Sequence, residues 1–249
     1  MVLKHEIFIE PFGLNRLLHI YVPDNIKEGE RLPVMYMFDG HNLFFDSEAT
    51  YGKSWGIKDF LDNSNTRIIV VGLECNHEGN KRLWEFSPYS FKDKHFGTVK
   101  GYGKILIDWM VDFLKPMIDK NFPTLPEREF TGLGGSSMGG LMSVYGTAMR
   151  SDIFSMGACL SPFYDHIFKK LVEELSAAEV NSATKFYISW GRYEVHSKKQ
   201  LAVESEKNLI ISRILTFKGV QVFPHLMVEG AHNEASWETE NPIWMTELG

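Results

Sequence analysis

Short apolar runs alternate with helical patterns along this chain, and that alternation restricts the fold more than any other feature. Leu32–Phe38, Arg67–Leu73 and Glu129–Leu133 read as strands buried on both faces, because they are short and apolar without a polar alternate. Phe154–Leu160 and Lys185–Trp190 add two more strands. Val220–Val228 alternates like a strand but contains Pro224, which lacks a ladder donor, so it is expected at a sheet edge. Between these runs, Ile105, Trp109, Phe113, Met117 and Ile118 recur at helical spacing, and Pro116 is expected to kink or split that helix. Met138–Met149 reads as a second helix. Lys198–Thr216 reads as a third, with Leu201, Leu209, Ile210 and Ile214 as its apolar stripe. At the start, Glu6–Glu10 and Arg16–Val22 flank the turn Pro11-Phe12-Gly13 as an antiparallel hairpin. Alternating strands and helices imply βαβ units: an α/β fold with a mostly parallel central sheet and helices on both faces. Ligands in such sheets bind beyond the carboxyl ends of the strands, so functional residues are expected directly after strands.

The 249 residues suit one α/β domain of roughly 200–250 residues, so residues 1–249 are expected to form a single unit. A formal charge of −6 supplies no basic field for nucleic acid or anionic lipid, which favours a small neutral or weakly polar partner. Cys75 and Cys159 both sit in apolar runs and are expected to be reduced core residues rather than a disulfide. The N-terminal stretch alternates and lacks the apolar core of about 7–15 residues that a signal peptide needs. No run approaches the ~18 apolar residues of a membrane span, so a cytoplasmic location is expected. Assembly into a homo-oligomer stays open.

The strongest local motif is Gly135-Ser136-Ser137-Met138-Gly139, a G-x-S-x-G placed after a strand pattern and before a helix. In a nucleophile elbow the chain turns sharply from strand to helix and holds a serine in a strained conformation at the helix N-terminus. Flanking side chains would collide across the turn, which is why glycine recurs. Ser137 occupies the nucleophile position, and Ser136 is the intervening residue. The rival reading is a glycine-rich turn without chemistry.

A serine needs a base to take its proton. In α/β-hydrolases the partners follow in the order Ser, Asp/Glu, His. Four histidines follow Ser137. His166 lies in a helical pattern, His225 within a strand, and His196 before the last strand; His232 alone directly follows the last strand. It is the expected base. Glu194 follows Lys185–Trp190 through a short turn and is the favoured acid, with Asp165 as its rival. An oxyanion hole needs two backbone N–H groups, one from the residue after the nucleophile, here Met138. The other is expected in Asp39-Gly40-His41-Asn42, from His41 or alternatively Asn42, with Gly40 allowing close approach to a ligand. Asp39 and His41 alone are too few ligands for a metal.

Met37-Phe38-Asp39-Gly40-His41-Asn42-Leu43-Phe44 resembles the aspartate-glycine loop of the esterase D-like "putative esterase" family, which includes feruloyl and enterochelin-type esterases, S-formylglutathione hydrolases and mycolyltransferases. Arg82–Tyr89 is similar to its R-x-x-E-[YF]-S-P segment, and Gly134–Leu141 to its serine motif. Leu160-Ser161-Pro162, Trp190–Glu194 and Gly230–Glu234 match later blocks, in order. The resemblance implies the α/β-hydrolase fold, a metal- and cofactor-free triad of Ser137, Glu194 and His232, and oxyanion donors at His41 and Met138. His41 departs from the Gln, Asn or Leu common in relatives, and its side chain is expected to alter the acyl pocket.

The expected activity is hydrolysis of short-chain or aromatic acyl esters through an acyl-enzyme. An acyltransferase with the same triad and an inactive binding protein are the rivals. Among Phe44, Phe45, Trp55, Trp84, Phe163, Tyr164, Tyr193 and Trp237, a minority is expected to line the pocket. The 161–184 segment is too short for a mobile lid beyond its crossover helix, so a minimal cap is expected.

Overall fold

The computed structural model describes residues 1–24 and 26–249. Its strands are β1 (Val2–Ile9), β2 (Leu14–Tyr21), β3 (Val34–Phe38), β4 (Ile69–Leu73), β5 (Phe91–Asp93), β6 (Gly97–Val99), β7 (Thr131–Ser136), β8 (Met156–Leu160), β9 (Lys185–Gly191) and β10 (Gln221–Met227). The helices are α1 (Ile57–Asn63), α2 (Lys81–Glu85), α3 (Gly103–Trp109), α4 (Lys115–Asn121), α5 (Met138–Met149), α6 (Phe168–Ala177), α7 (Lys198–Phe217) and α8 (Glu234–Leu248).

The main sheet has eight strands in the order β1-β2-β4-β3-β7-β8-β9-β10. β1 pairs antiparallel with β2, and β2 antiparallel with β4; all later pairs are parallel. The N-terminal hairpin and the parallel sheet therefore form as expected. β10 lies at the edge, where Pro224 costs least.

Alternation along the central strands divides the core. Val34, Tyr36 and Phe38 of β3 join α3, α5, α6 and α7 on one face, through Leu106, Leu141, Leu171 and Ile211. Met35 and Met37 point the other way, toward Trp55, Leu61 and the α8 residues Trp237, Trp244 and Leu248. A strand covered on both faces has no reason to alternate in polarity, which accounts for its unbroken apolar run.

Two details differ from expectation, at α7 and at His166, while the break expected near Pro116 takes a definite form. The 103–121 helix is split by a π-helical stretch, Met110–Leu114, ending just before Pro116. Proline removes the bond to the carbonyl four residues back, and the wider π turn absorbs the ring. α7 buries Asn208, Ile211, Ser212 and Leu215, while Leu209 is 51% exposed, so the buried stripe lies one position away from that expected. His166 lies in the turn before α6, not within a helix, and faces Asp93 at 3.0 Å. α6 packs on α5 and α7 as a crossover helix. Cys75 and Cys159 are free and buried. Among the described residues no helix is long and apolar enough to cross a membrane.

Candidate active site

β7 runs into α5 through Ser137, whose backbone has φ 57° and ψ −120°. A non-glycine residue with positive φ is strained, and here the neighbours over-determine it. Ser137 N–H donates to the Leu160 carbonyl at the end of β8 (3.0 Å), and the Ser137 carbonyl accepts from Phe163 N–H (3.1 Å). A Cβ on Gly135 would lie 2.9 Å from the backbone of Gly139 across the turn, so a side chain there would push strand and helix apart. Ser136 is buried at the end of the strand, whereas Ser137 is half-buried; both border a cavity of about 450 Å³.

His232 and Trp237 line the same cavity. His232 Nδ1 lies 3.0 Å from Glu194 Oε2, and its ring packs edge-on against Trp237. Glu194 closes a single 3₁₀ turn after β9. Its other oxygen, Oε1, accepts from Ser161 Oγ at 2.7 Å and from Gly191 N–H. Ser161 Oγ in turn accepts from Trp237 Nε1 at 2.8 Å. The carboxylate thus has donors at both oxygens. Tyr193 N–H donates to Gly230 O (2.8 Å), which ties the two loops together. No hydrogen bond joins Ser137 Oγ to His232 among the described residues; such bonds often tighten only when substrate binds.

The rival acid, Asp165, is engaged by Lys207 on the protein surface and does not line this cavity. His196 is exposed and borders a separate surface depression. His225 lies in β10 against Tyr187.

Met138 is the first residue of α5, so its N–H has no intrahelical partner and points out of the helix start. The second proposed donor lies on the loop after β3. Asn42 N–H already donates to the Asp39 carbonyl (2.8 Å), which leaves His41 as the better candidate of the two. Gly40 has a different purpose from the one expected. A Cβ there would sit 2.4 Å from the Gly72 carbonyl, so the close approach is to β4 rather than to a ligand.

Asp39 itself adopts a left-handed conformation (φ 56°) and is clamped by Arg82 through two hydrogen bonds, 2.8 and 2.7 Å. Burial alone would raise its carboxyl, but the Arg82 guanidinium outweighs burial and holds it below the usual range. Glu85, three residues on, pairs with Arg16 (2.6 Å) and accepts from Asn76 Nδ2 (3.2 Å). The Asn42 side chain reaches across the cavity to Glu234 (3.2 Å), linking the β3 loop to the start of α8. Burial pushes the Glu234 carboxyl up.

A family model described as "Putative esterase" matches residues 10–243. The chain belongs to this family. Membership makes it an esterase-type hydrolase. It is 22% identical over 192 residues to the uncharacterized protein YbbA of Bacillus subtilis (strain 168), covering 75% of this chain and 72% of that protein. An IroE-like serine hydrolase from Shewanella oneidensis superposes with a TM-score of 0.76 at 18% identity, over 100% of this chain and 79% of that one. The BES protein from Bacillus cereus gives 0.74 at 19% identity, over 100% and 94%. At these identities the structural likeness is one of fold.

Within this esterase, the Asp39–Arg82 clamp and the Ser161–Trp237 support of Glu194 are features that motif matching did not reveal. The available signal was a buried charge in each of two separate blocks, Asp39-Gly40 and Arg82-x-x-Glu85; opposite charges in apolar company must find a partner. Of the eight aromatics considered, Trp237 lines the cavity, and Tyr51, not among them, joins it. Phe44, Trp55 and Tyr164 are buried, and Tyr193 is 54% exposed. No residue of the 161–184 segment lines the cavity, in keeping with a minimal cap.

Proposed function

We propose that this protein is a serine carboxylesterase acting on soluble short-chain or aromatic acyl esters. The observation that carries this reading is the strained Ser137 at the mouth of a helix, sharing a cavity with His232, whose Nδ1 is paired with Glu194. Ser137 Oγ attacks the ester carbonyl while His232 Nε2 takes its proton. The tetrahedral oxyanion accepts hydrogen bonds from the His41 and Met138 backbone N–H groups, each worth on the order of 10²–10³ in rate in comparable sites. His232 then protonates the departing alcohol, leaving an acyl-Ser137. Water, deprotonated by His232, releases the acid. Glu194 keeps the imidazole in the tautomer with its proton on Nδ1 and stabilises the imidazolium.

The cavity favours modest substrates. Its lining is largely polar, with Asp39, Asn42, Thr50, Asn76 and Arg82, and it opens to solvent beside the 38%-exposed His232 side chain. A long acyl chain would meet polar walls, whereas Trp237 offers one flat apolar surface. A panel of p-nitrophenyl esters of rising acyl length, with an aryl-acyl ester included, tests this. Rates should peak at short or aromatic acyl groups and show no jump when an emulsified triglyceride passes its solubility limit. Long-chain preference or interfacial activation would contradict the reading. An added alcohol acceptor would separate hydrolysis from acyl transfer, with free acid expected as the main product.

A further inference from the structure

The loops after β3 and β4 are neighbours because those strands pair in parallel, Phe38 opposite Leu73. Together they bring His41, Cys75 and His77 into one cluster on the cavity wall, with one donor atom of each lying within 4.8 Å of the others. Cys75 Sγ is 4.0 Å from His77 Nδ1. The two imidazoles meet edge to face with centroids 4.7 Å apart.

The outer nitrogens of both rings are already occupied. His41 Nε2 lies 2.9 Å from Thr50 Oγ1, and His77 Nε2 lies 3.5 Å from a Glu74 carboxylate oxygen. In the tautomer where Nε2 is the N–H, each ring presents Nδ1 as a lone pair. His41 is only 7% exposed, and its Nδ1 is a buried polar atom with no hydrogen-bond partner. A buried nitrogen left unpaired costs about 1–3 kcal/mol, so its persistence needs a reason. A remote nitrogen held by a hydroxyl or carboxylate is the usual support behind a metal-ligating histidine.

We propose that His41, Cys75 and His77 form a binding site for a zinc-type divalent cation, and that an ion there blocks the esterase cavity. Two imidazoles and one thiolate suit a borderline-soft ion, and a fourth position stays open to water. Tetrahedral zinc with bonds of about 2.0–2.3 Å places its donors roughly 3.3–3.7 Å apart, so a small inward turn of the exposed His77 ring closes the site. The ligand is the thiolate, so the metal must displace the Cys75 proton. The S–H bond breaks, a sulfur–metal bond forms, and the proton leaves to solvent through the open cavity. The ion would then occupy part of the cavity that Ser137 and His232 also line. The blocking effect rests on the esterase reading; metal binding does not.

The test is a Co²⁺ titration of the full-length, reduced protein, followed by absorption and then displaced by Zn²⁺. Wild type is expected to bind one ion per chain and to develop a near-ultraviolet sulfur-to-cobalt charge-transfer band. Cys75→Ser should abolish the band, and His77→Ala, altering an exposed side chain, should weaken binding at least tenfold. In parallel, Zn²⁺ should inhibit ester hydrolysis by wild type reversibly with a chelator, and His77→Ala should need at least tenfold more zinc for the same inhibition relative to its own metal-free rate. No charge-transfer band, or equal titration of wild type and His77→Ala, overturns the site even if zinc inhibits. A band without inhibition retains the site and overturns the blocking effect. A protein with no esterase activity still answers the spectroscopic question.

Discussion

The nucleophile and its acid–base partners are held in place by different means. Ser137 sits on a junction of regular elements: β7 delivers it, α5 begins at it, and the glycine contact Gly135–Gly139 forces the turn. Its position follows from the backbone, through sterics within the turn and main-chain bonds to Leu160 and Phe163. Glu194 and His232 ride on loops separated by 38 residues and are registered by side chains: Ser161, Trp237 and the Tyr193–Gly230 bond. The first arrangement is held by the main chain; the second depends on side chains that reach between loops. Damage to the elbow should therefore remove chemistry outright, whereas damage to the loop network should degrade it in steps.

The sharpest break is at the elbow itself. Ser137→Ala should lower kcat on a short-chain p-nitrophenyl ester by about 10⁴-fold or more, as loss of a nucleophile does elsewhere. Ser136→Ala should stay within about tenfold of wild type, since that hydroxyl is buried in the strand. Equal losses with intact folding would break the register assigned to the motif.

The acid comes next. Glu194→Gln should reduce kcat by about 10³–10⁴-fold with an unchanged circular dichroism spectrum, because the imidazole loses the carboxylate that fixes its tautomer. Asp165→Asn should leave kcat nearly unchanged, since its carboxylate pairs with Lys207 away from the cavity.

How far the two arrangements could be read in advance follows from the same contrast. The elbow was legible because strand, glycines, serine and helix are contiguous. The edge position of β10 followed from Pro224 alone. His232 was legible from its place after the last strand. The Asp39–Arg82 clamp, the Asn42–Glu234 bridge and the His41–Cys75–His77 cluster were not, because each depends on strand order: β4 beside β3 and β3 beside β7 is a pairing that periodicity does not specify. α8 was missed for a separate reason. Pro242 lies inside it, and an interior proline normally costs a helix about 3 kcal/mol. Burial of Trp237, Trp244 and Leu248 offsets that cost, and tertiary packing decided against local propensity.

A third effect concerns the floor beneath the loops. Glu240 of α8 is buried and hydrogen-bonded to Tyr187 Oη (2.8 Å). Burial first, and Glu194 nearby, raise its carboxyl to about 7, despite help from the Ser189 and Tyr187 hydroxyls. The folded state therefore holds this proton where the unfolded chain releases it. That contribution is present below the ordinary glutamate range and is lost as pH rises through about 7, on the order of 3 kcal/mol in all. Urea unfolding at pH 5 and pH 8 should show wild type losing stability over this interval and Glu240→Gln losing less. Identical pH slopes would show that Glu240 carries no such proton.

The smallest effect separates support from chemistry. Ser161→Ala removes one donor to Glu194 and the acceptor of Trp237. A lost hydrogen bond to a charged group is worth about 1.5 kcal/mol, which corresponds to roughly tenfold in kcat. KM should stay unchanged, because Ser161 does not line the cavity. A loss as deep as that of Glu194→Gln would mean that the loop network is as indispensable as the elbow, and the contrast between them would disappear.

The central claim is that Ser137 is the activated nucleophile, and its most direct test is covalent capture. The protein is treated with a fluorophosphonate, digested, and the modified residue identified by mass spectrometry. The account predicts one adduct per chain, on Ser137, formed orders of magnitude more slowly in Glu194→Gln and His232→Ala variants. An adduct on Ser136 or on another residue, or a folded wild-type protein that takes up no label, would contradict it.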